Sequence, residues 1–296
     1  MATLRELKGR IGSVASSEKI TGAMKMISSA KMHKAEGVLR RLSPYRDCVR
    51  TIIASLLRSD APVTSPLTTP RQHTGRVAVV VFGSDDGLCG AYNVNIFKGL
   101  LANIATLRQK YGVDTGFDII PVGQKMTKAV VKVMDSDARI NVVTDMNVDS
   151  KSEGSEVKDM GATLTRRFLD GEIDGVELVY MHYITAGKQR LEAETFLPVS
   201  AENLAGETEG GGRPYLFEPD AATIFSTALP MYLLAKLQEA FAMNRASEQA
   251  ARVMAMQSAN DNAQKLLEQL QLEYNKLRQQ GITTELLDIV GGQARD

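Results

Sequence analysis

A stretch of 50 residues without glycine or proline, residues 231–280, constrains the fold of this chain more than any other feature. As an α-helix, at a rise of about 1.5 Å per residue, it would be about 75 Å long. A compact globule of 296 residues has a radius of gyration of about 19 Å and a diameter of roughly 50 Å. A helix of that length has to project from a globular body, and its apolar face then needs a partner.

The N-terminal end of the chain offers that partner. Residues 3–58 are predicted to form one long helix, kinked or jointed at Pro44. Apolar residues recur there at heptad spacing in two stretches separated by a phase shift: Leu4, Leu7, Ile11 and Val14, then Ile20, Met24 and Ile27, followed by Lys31. We therefore expect a long antiparallel coiled coil of the N- and C-terminal helices.

Small side chains run along the C-terminal helix at near i, i+4 spacing: Ala242, Ala246, Ala250, Ala255, Ala259 and Ala263. Such a stripe lets two helices approach closely and leaves a slim, smooth rod. Ordinary helix propensity remains an alternative explanation, since alanine is the best helix former.

The middle of the chain has a different character. Five stretches are predicted strands: 76–82, 117–123, 140–144, 176–184 and 189–199. Helical stretches alternate with the first of them: 94–110, 124–134 and 155–170. This alternation predicts an α/β domain with a largely parallel, Rossmann-like sheet, whose last two strands are joined by the sequence TAGK.

Two polar segments separate this domain from the terminal helices. Residues 61–75 are rich in Pro and Thr and are predicted to be a linker, and residues 201–214 are predicted to be a flexible acidic loop. Asp220 is a candidate N-cap for the C-terminal helix. The predicted domains are an N-terminal coiled-coil helix (1–58), a central α/β domain (76–219) and a C-terminal coiled-coil helix (220–296).

The composition excludes several classes of protein. Apolar residues make up 44% of the chain, enough for a packed core and too many for wholesale disorder. No run of about 18 apolar residues occurs, so no membrane-spanning helix is expected. The polar N-terminus resembles neither a secretory signal nor a transit peptide, so we expect the protein to stay where it is made. Cys48 and Cys89 are too few for a disulfide framework and are expected to be buried, reduced thiols.

A net charge of zero hides a strong asymmetry, because residues 1–58 contain 12 Lys and Arg against 4 Asp and Glu. A basic element of this kind meets nucleic acid, anionic lipid or an acidic protein. Six basic side chains could follow a phosphate backbone: Lys25, Lys31, His33, Lys34, Arg40 and Arg41. They share the helix with methionines, however, and no base-stacking aromatics are interleaved, which disfavours a nucleic-acid partner.

The glycine-rich segment GSDDGLCGAYN, residues 83–93, follows the first strand, where an α/β fold would bind phosphate. It does not match G-x-G-x-x-G, no G-K-[ST] follows, and Asp85 and Asp86 would repel phosphate. Two interpretations of this segment follow. It could bind a nucleotide in an independent enzyme, or it could be a structural turn that positions Leu88 and Cys89 against the sheet. The sequence contains no evident catalytic or metal-ligating set.

Four motifs, in order along the chain, resemble the gamma subunit of bacterial F-type ATP synthase. ITGAMKMISSAKMHKAE (20–36) resembles its N-terminal helix, and SEQAARVMAMQSANDNA (247–263) the start of its C-terminal helix. The 83–93 loop is similar to the family's Gly-Leu-Cys-Gly loop, here Gly87, Leu88, Cys89 and Gly90. YNKLRQQGITTELLDIVGG (274–292) resembles its C-terminal signature, here Ile282, Thr283, Glu285, Asp288 and Gly292. The resemblance covers effectively the whole chain.

Two positions depart from the family pattern. Gln293 replaces a small residue, and Gly281 stands where alanine is more typical and is expected to interrupt the helix near its end. The segment 200–214 contains no cysteine pair, so the chain resembles the bacterial form and not the redox-switched chloroplast form.

The resemblance implies a central-stalk rotor with no catalytic site, cofactor or metal of its own. Such a rotor turns inside a ring of three alpha and three beta subunits, and couples proton flow through the membrane sector to ATP synthesis or hydrolysis at the beta sites. The epsilon subunit and the c-subunit ring are the further implied partners, and nucleic acid is not one. The implied location is the cytoplasmic side of the bacterial inner membrane, as a peripheral protein.

The resemblance also implies a set of contacts with the beta subunits: Met24, Lys25, Lys31, Arg252, Arg278, Gln279, Thr283 and Glu285. Met24 could instead pack within the coiled coil, and Arg278 could simply be solvated.

Overall fold

The computed structural model describes residues 3–59, 63–70, 75–134, 137–146, 148–152, 154–200, 204 and 216–293. The predicted acidic loop at 201–214 lies outside these residues except for Leu204, and the predicted linker at 61–75 lies partly outside them.

Helices and a single sheet account for most of the described chain. The helices are α1 (Leu4–Leu57), α2 (Tyr92–Tyr111), α3 (Gln124–Met134), α4 (Gly154–Leu169) and α5 (Ala221–Gln293). The strands are β1 (Arg76–Phe82), β2 (Gly116–Val122), β3 (Ile140–Val142), β4 (Gly175–Thr185) and β5 (Lys188–Leu197). The predicted elements are thus confirmed, with β3 shorter than expected.

The five strands form one sheet in the order β3-β2-β1-β4-β5. The β1–β2, β1–β4 and β2–β3 pairs are parallel, and only β4 and β5 pair antiparallel. This arrangement confirms the predicted α/β class with a largely parallel sheet, in which helical crossovers connect the parallel strands.

The chain separates into two compact units. The helical unit contains Met1–Ser29 and Arg252–Asp296, and the sheet unit contains Ala30–Ala251. These boundaries fall inside α1 and α5, whereas the three domains predicted from the sequence divide the chain at the ends of those helices; that division remains a prediction.

The terminal helices are less interrupted than the sequence predicts. α1 has 54 residues and continues through Pro44, and α5 has 73 residues and continues through Pro230. Gly281 does not interrupt α5, which corrects the expectation above; one glycine costs only about 1 kcal/mol in a helix.

Side-chain caps fix where both terminal helices begin. At α1, Thr3 Oγ1 accepts from the Glu6 amide at 3.3 Å, and Glu6 Oε2 accepts from the Thr3 amide at 2.8 Å, forming a capping box. At α5, Asp220 Oδ1 accepts from the Thr223 amide at 2.8 Å, which confirms the predicted N-cap.

The sheet unit buries both faces of its central strand. Val77, Val79 and Val81 of β1 face a cluster shared with α2 and α3. Ala78, Val80 and Phe82 face the opposite cluster, which includes α4, the C-terminal part of α1 and the N-terminal part of α5. The continuous apolar run at 76–82 has its physical reason here, because a strand covered on both sides has no polar face.

The buried side of α1 follows a strict heptad, which corrects the phase shift predicted from the sequence. Positions seven residues apart are all buried or half-buried from one end of the helix to the other: Leu7, Val14, Thr21, Ser28, Ala35, Leu42, Val49 and Leu56. Ile20 and Ile27, assigned to the inner side from their hydrophobicity, are 59% and 57% exposed.

Candidate functional site

The predicted contact residues differ widely in exposure. Met24 and Lys25 on α1 are half-buried, and Lys31 is exposed. Arg252 on α5 is 5% exposed, so its guanidinium is largely covered within this chain. The remaining four are exposed on the last part of α5: Arg278, Gln279, Thr283 and Glu285.

Sequence reasoning missed an outward apolar surface on α1. Met26 is 74% exposed, and Ile20 and Ile27 are each more than half exposed. We call these three residues the outer apolar patch. A hydrophobicity pattern alone assigns such residues to a coiled-coil interior, so only the observed burial reveals them.

Within the helical unit, α1 and α5 are joined by polar contacts. Asn260 Nδ2 donates to the Glu18 carbonyl at 2.8 Å and lies 3.4 Å from Thr21 Oγ1. Gln264 Nε2 lies 3.4 Å from Glu18 Oε1. Moving back one turn along α1, from Thr21 to Glu18, thus moves the contact forward one turn along α5, from Asn260 to Gln264. The two helices therefore run antiparallel in this unit, as predicted.

The 83–93 loop uses its polar groups internally. Ser84 and Asn93 exchange hydrogen bonds, from the Ser84 amide to Asn93 Oδ1 at 3.1 Å and from Asn93 Nδ2 to Ser84 Oγ at 2.8 Å. Asp85 Oδ1 accepts from the Gln124 amide at 2.9 Å, at the N-terminus of α3. A carboxylate of the chain itself therefore lies at the helix end that could otherwise receive a phosphate.

The motif residues of this loop separate into buried and exposed positions. Cys89 is 4% exposed and packs in the cluster of α2 and α3, as expected. Leu88 is 59% exposed, with a backbone φ of 63°, and so does not pack against the sheet as the sequence predicted. Gly90, two residues further on, also has a positive φ, of 61°. The backbone conformation of this turn directs the Leu88 side chain outward.

Asn244 of α5 ties that helix to the sheet. Its Oδ1 accepts from the Tyr92 hydroxyl at 2.7 Å and from the Met181 amide of β4 at 3.2 Å. Its Nδ2 donates to the Gly83 carbonyl at the end of β1, at 3.1 Å. Asn244 is 3% exposed, so these bonds form in a dry environment and hold α5 in one position on the two central strands.

Two charged contacts attach α1 to the rest of the sheet unit. Glu239 of α5, 5% exposed, accepts from Ser43 Oγ at 2.7 Å and pairs with Arg46. Glu36 of α1 accepts from the Tyr183 hydroxyl, which lowers the pKa of the carboxyl. Burial and the same contact raise the pKa of Tyr183 to about 12, so both groups keep their charge states near neutral pH.

A buried carboxylate organises one end of the sheet. Asp118 of β2 is 1% exposed and accepts from Arg76 at 2.6 Å, from Arg167 of α4 and from Asn141 at 3.3 Å. Burial alone would raise the pKa of Asp118, but the arginine hydrogen bonds outweigh it and hold that pKa below its ordinary value. This network links α4 to β1 and β2.

The two cysteines lie in different environments. Cys89 is buried, and Cys48 on α1 is exposed, which corrects the expectation that both are buried.

Among the described residues, no group of three or more His, Cys, Asp or Glu side chains is placed to hold a metal ion. None of the described helices has an apolar stretch long enough to cross a bilayer.

The fold and its contacts define a class of protein in which two long terminal helices are anchored to a small α/β sheet. The family model described as ATP synthase matches residues 3–294. The ATP synthase gamma chain of Bacteroides thetaiotaomicron is 41% identical over 302 aligned residues, covering 99% of each chain. The gamma chain of Chromobacterium violaceum is 37% identical, again covering 99% of both. This chain belongs to the ATP synthase gamma chain family.

Solved structures agree on the fold. The chain resembles a subunit in the Euglena gracilis mitochondrial ATP synthase, with a TM-score of 0.60 and 22% identity, covering 98% of this chain and 93% of that one. A second similar chain comes from the central stalk and c-ring of Tetrahymena thermophila ATP synthase, with a TM-score of 0.52 and 20% identity over 81% of this chain.

Proposed function

We propose that this chain is the rotor of a bacterial F-type ATP synthase, coupling proton flow through the membrane sector to ATP synthesis or hydrolysis at the beta subunits. The observation that carries the proposal is the match to bacterial gamma chains over 99% of both chains. Its partners are then the alpha and beta subunits, the epsilon subunit and the c-ring. Its location is peripheral, on the cytoplasmic side of the inner membrane.

A rotor needs a firm attachment between its base and its shaft. The buried bonds of Asn244 to β1 and β4, and the pairing of Glu239 with Arg46, supply such an attachment within the sheet unit. Turning α5 on the sheet would break all of them together, and each buried polar group left without a partner costs about 1–3 kcal/mol.

A rotor also has to present a different surface to each of three identical partners. We assign this role to the outer apolar patch and to the exposed or half-buried members of the predicted contact set: Met24, Lys25, Lys31, Arg278, Gln279, Thr283 and Glu285. Each orientation biases the partner sites only through its differential contact energy. Exposed ion pairs contribute about 0–1 kcal/mol each, so the patch should matter at least as much as any single lysine.

Arg252 is the exception in that set. Its side chain is almost fully covered in the chain by itself, so a direct contact with a partner is less suited to it than a structural role.

Reconstitution tests the proposal. The purified chain should bind alpha and beta subunits from the same organism, and a bead attached at Cys48, the exposed thiol, should rotate when ATP is added. A Cys48→Ser chain is the control for attachment. ATP turnover by the chain alone, or failure to assemble with alpha and beta, would refute the rotor hypothesis.

Charge reversal tests the contacts. The double variant Lys25→Glu, Lys31→Glu should lower the proton-pumping ratio more than it lowers assembly, because its side chains would repel acidic partner residues. The double variant Lys128→Glu, Lys132→Glu, on the exposed side of α3, makes the same two charge reversals elsewhere and should leave the ratio unchanged. An unaltered ratio in the double variant would remove both lysines from the contact set.

A further inference from the structure

A cavity of about 340 Å³ opens in the sheet unit between α1, α5 and the N-terminus of α4. Its volume lies at the lower end of the range of small-molecule sites, about 300–1,000 Å³. The rotor function does not require a cavity here, so it needs a separate explanation.

The walls of this cavity are mostly apolar, and the polar side chains of Ser152 and Gln238 also line it. The apolar walls consist of Ala35, Val38 and Leu42 on α1, Val157 on α4, and Phe241 and Ala242 on α5. Phe241, Val157 and Ala242 are each less than a tenth exposed, so the walls belong to the packed core.

The rim is cationic. Lys31 and Lys34 on α1, Lys151 before α4, and Arg245 on α5 all border the cavity, and none of the described lining residues is acidic. Lys151 pairs with Asp86 at 3.4 Å, with both side chains well exposed. Lys31, Lys34 and Arg245 have no carboxylate partner within ion-pair distance in the part of the chain that the structure describes.

The N-terminus of α4 also borders the cavity, although its first turn carries Glu156, whose carboxylate offsets part of the charge of the helix end. Gly154, the first residue of that 16-residue helix, also lines the cavity. The first turn of a helix carries roughly half a positive charge, which favours an anion beside it. Three separate segments of the chain, in α1, before α4 and in α5, thus place positive side chains around the same cavity.

We propose that this cation-rimmed cavity binds a small monocarboxylate with an apolar tail. The tail fills the apolar walls, and the carboxylate lies at the rim among the lysine ammonium groups and Arg245, since charge-assisted hydrogen bonds to a carboxylate are the strong ones. At about 30 Å³ per heavy atom, the share of a water molecule in the liquid, the cavity takes about eleven heavy atoms. Octanoate, with its eight carbons and two oxygens, has this size.

Titration calorimetry of the full chain with octanoate tests the site directly. Octanoate, well below its micellar concentration, should bind saturably with one site per chain. Octanol and octylammonium keep the tail but lose or reverse the charge, and acetate keeps the charge but loses the tail. Each should bind at least tenfold more weakly. Equal binding of octanol and octanoate would overturn the proposal.

Variants locate the site. The double reversal Lys34→Glu, Lys151→Glu should weaken octanoate binding at least tenfold, and Val38→Phe should weaken it by filling the cavity. Lys132→Glu on α3, which packs on the opposite face of the sheet, should leave binding unchanged. Unaltered affinity in both the double reversal and the filled variant would refute the site.

A competing occupant is an acidic, leucine-containing helical segment of another protein. If a Glu/Leu peptide binds saturably while octanoate does not, the cavity is a protein-docking site and the proposal is wrong. Circular dichroism of every variant confirms that it is folded before binding is measured.

Discussion

Truncation of Asn244 is the most direct test of how α5 is held on the sheet. Asn244→Ala removes the acceptor of the Met181 amide and the donor to the Gly83 carbonyl, and leaves both groups buried. The Tyr92 hydroxyl keeps its second bond, to the main-chain carbonyl of residue 244 at 2.9 Å. Two orphaned groups at about 1–3 kcal/mol each predict a loss of about 2–6 kcal/mol in the free energy of unfolding.

Urea unfolding followed by circular dichroism measures this loss, with Asn103→Ala as the matched control. Asn103 on α2 is also partly covered, but its Oδ1 is buried without a hydrogen-bond partner in the structure. The same truncation there removes an unsatisfied group and places a better helix former in α2, so it should not lower the free energy of unfolding.

The outcome separates two explanations. If Asn244→Ala costs no more than Asn103→Ala, the side-chain bonds of Asn244 do not hold α5 to the sheet, and the attachment assigned to the rotor base is wrong. A large loss with unchanged secondary structure would support it.

Three further predictions concern other parts of the chain. Asp118→Asn should cost about 3 kcal/mol, because it breaks a buried ion-pair network. Since the pKa of Asp118 is lowered in the folded state, its stabilisation is present above the ordinary pKa of Asp and is lost as the pH falls through the lowered value. Acid titrations of unfolding should therefore be flatter in this variant. Gly123→Ala should destabilise the protein by more than about 1 kcal/mol, because φ is 98° and the added Cβ would lie 2.9 Å from backbone atoms. Gly9→Ala, where the helix surface is open, should instead stabilise it by about 0.5–1 kcal/mol. Thermal unfolding measures both changes. Maleimide should label Cys48 within minutes and Cys89 only after unfolding; equal rates by mass spectrometry would contradict the described burial.

Local signals in the sequence were enough to predict most of the elements. The β-branched run at 76–82 and the alternation of helices with strands predict the parallel sheet, because these features depend on residues that are neighbours in the chain. The absence of Gly and Pro over 231–280 predicts α5 for the same reason.

The contacts between distant segments could not be predicted in this way. Asn244 and Glu239 look like ordinary polar residues of a long helix, and their partners lie between 60 and 200 residues away in the chain. Asp118 interrupts an apolar strand, but nothing local indicates that two arginines reach it. The phase error at Ile20 and Ile27 has a related cause, since the covered side of α1 there carries Thr21 and Ser28 while the larger apolar residues point outward.

The polar contacts of Asn260 have a consequence for a shaft under load. A purely apolar helix pair can slide by one heptad and bury nearly the same area, because leucine meets leucine again after each repeat. Asn260 can hydrogen-bond the Glu18 carbonyl and Thr21 in one register only. A single polar side chain of this kind is known to specify the register of a coiled coil. The helical unit should therefore keep a fixed length while it is being twisted.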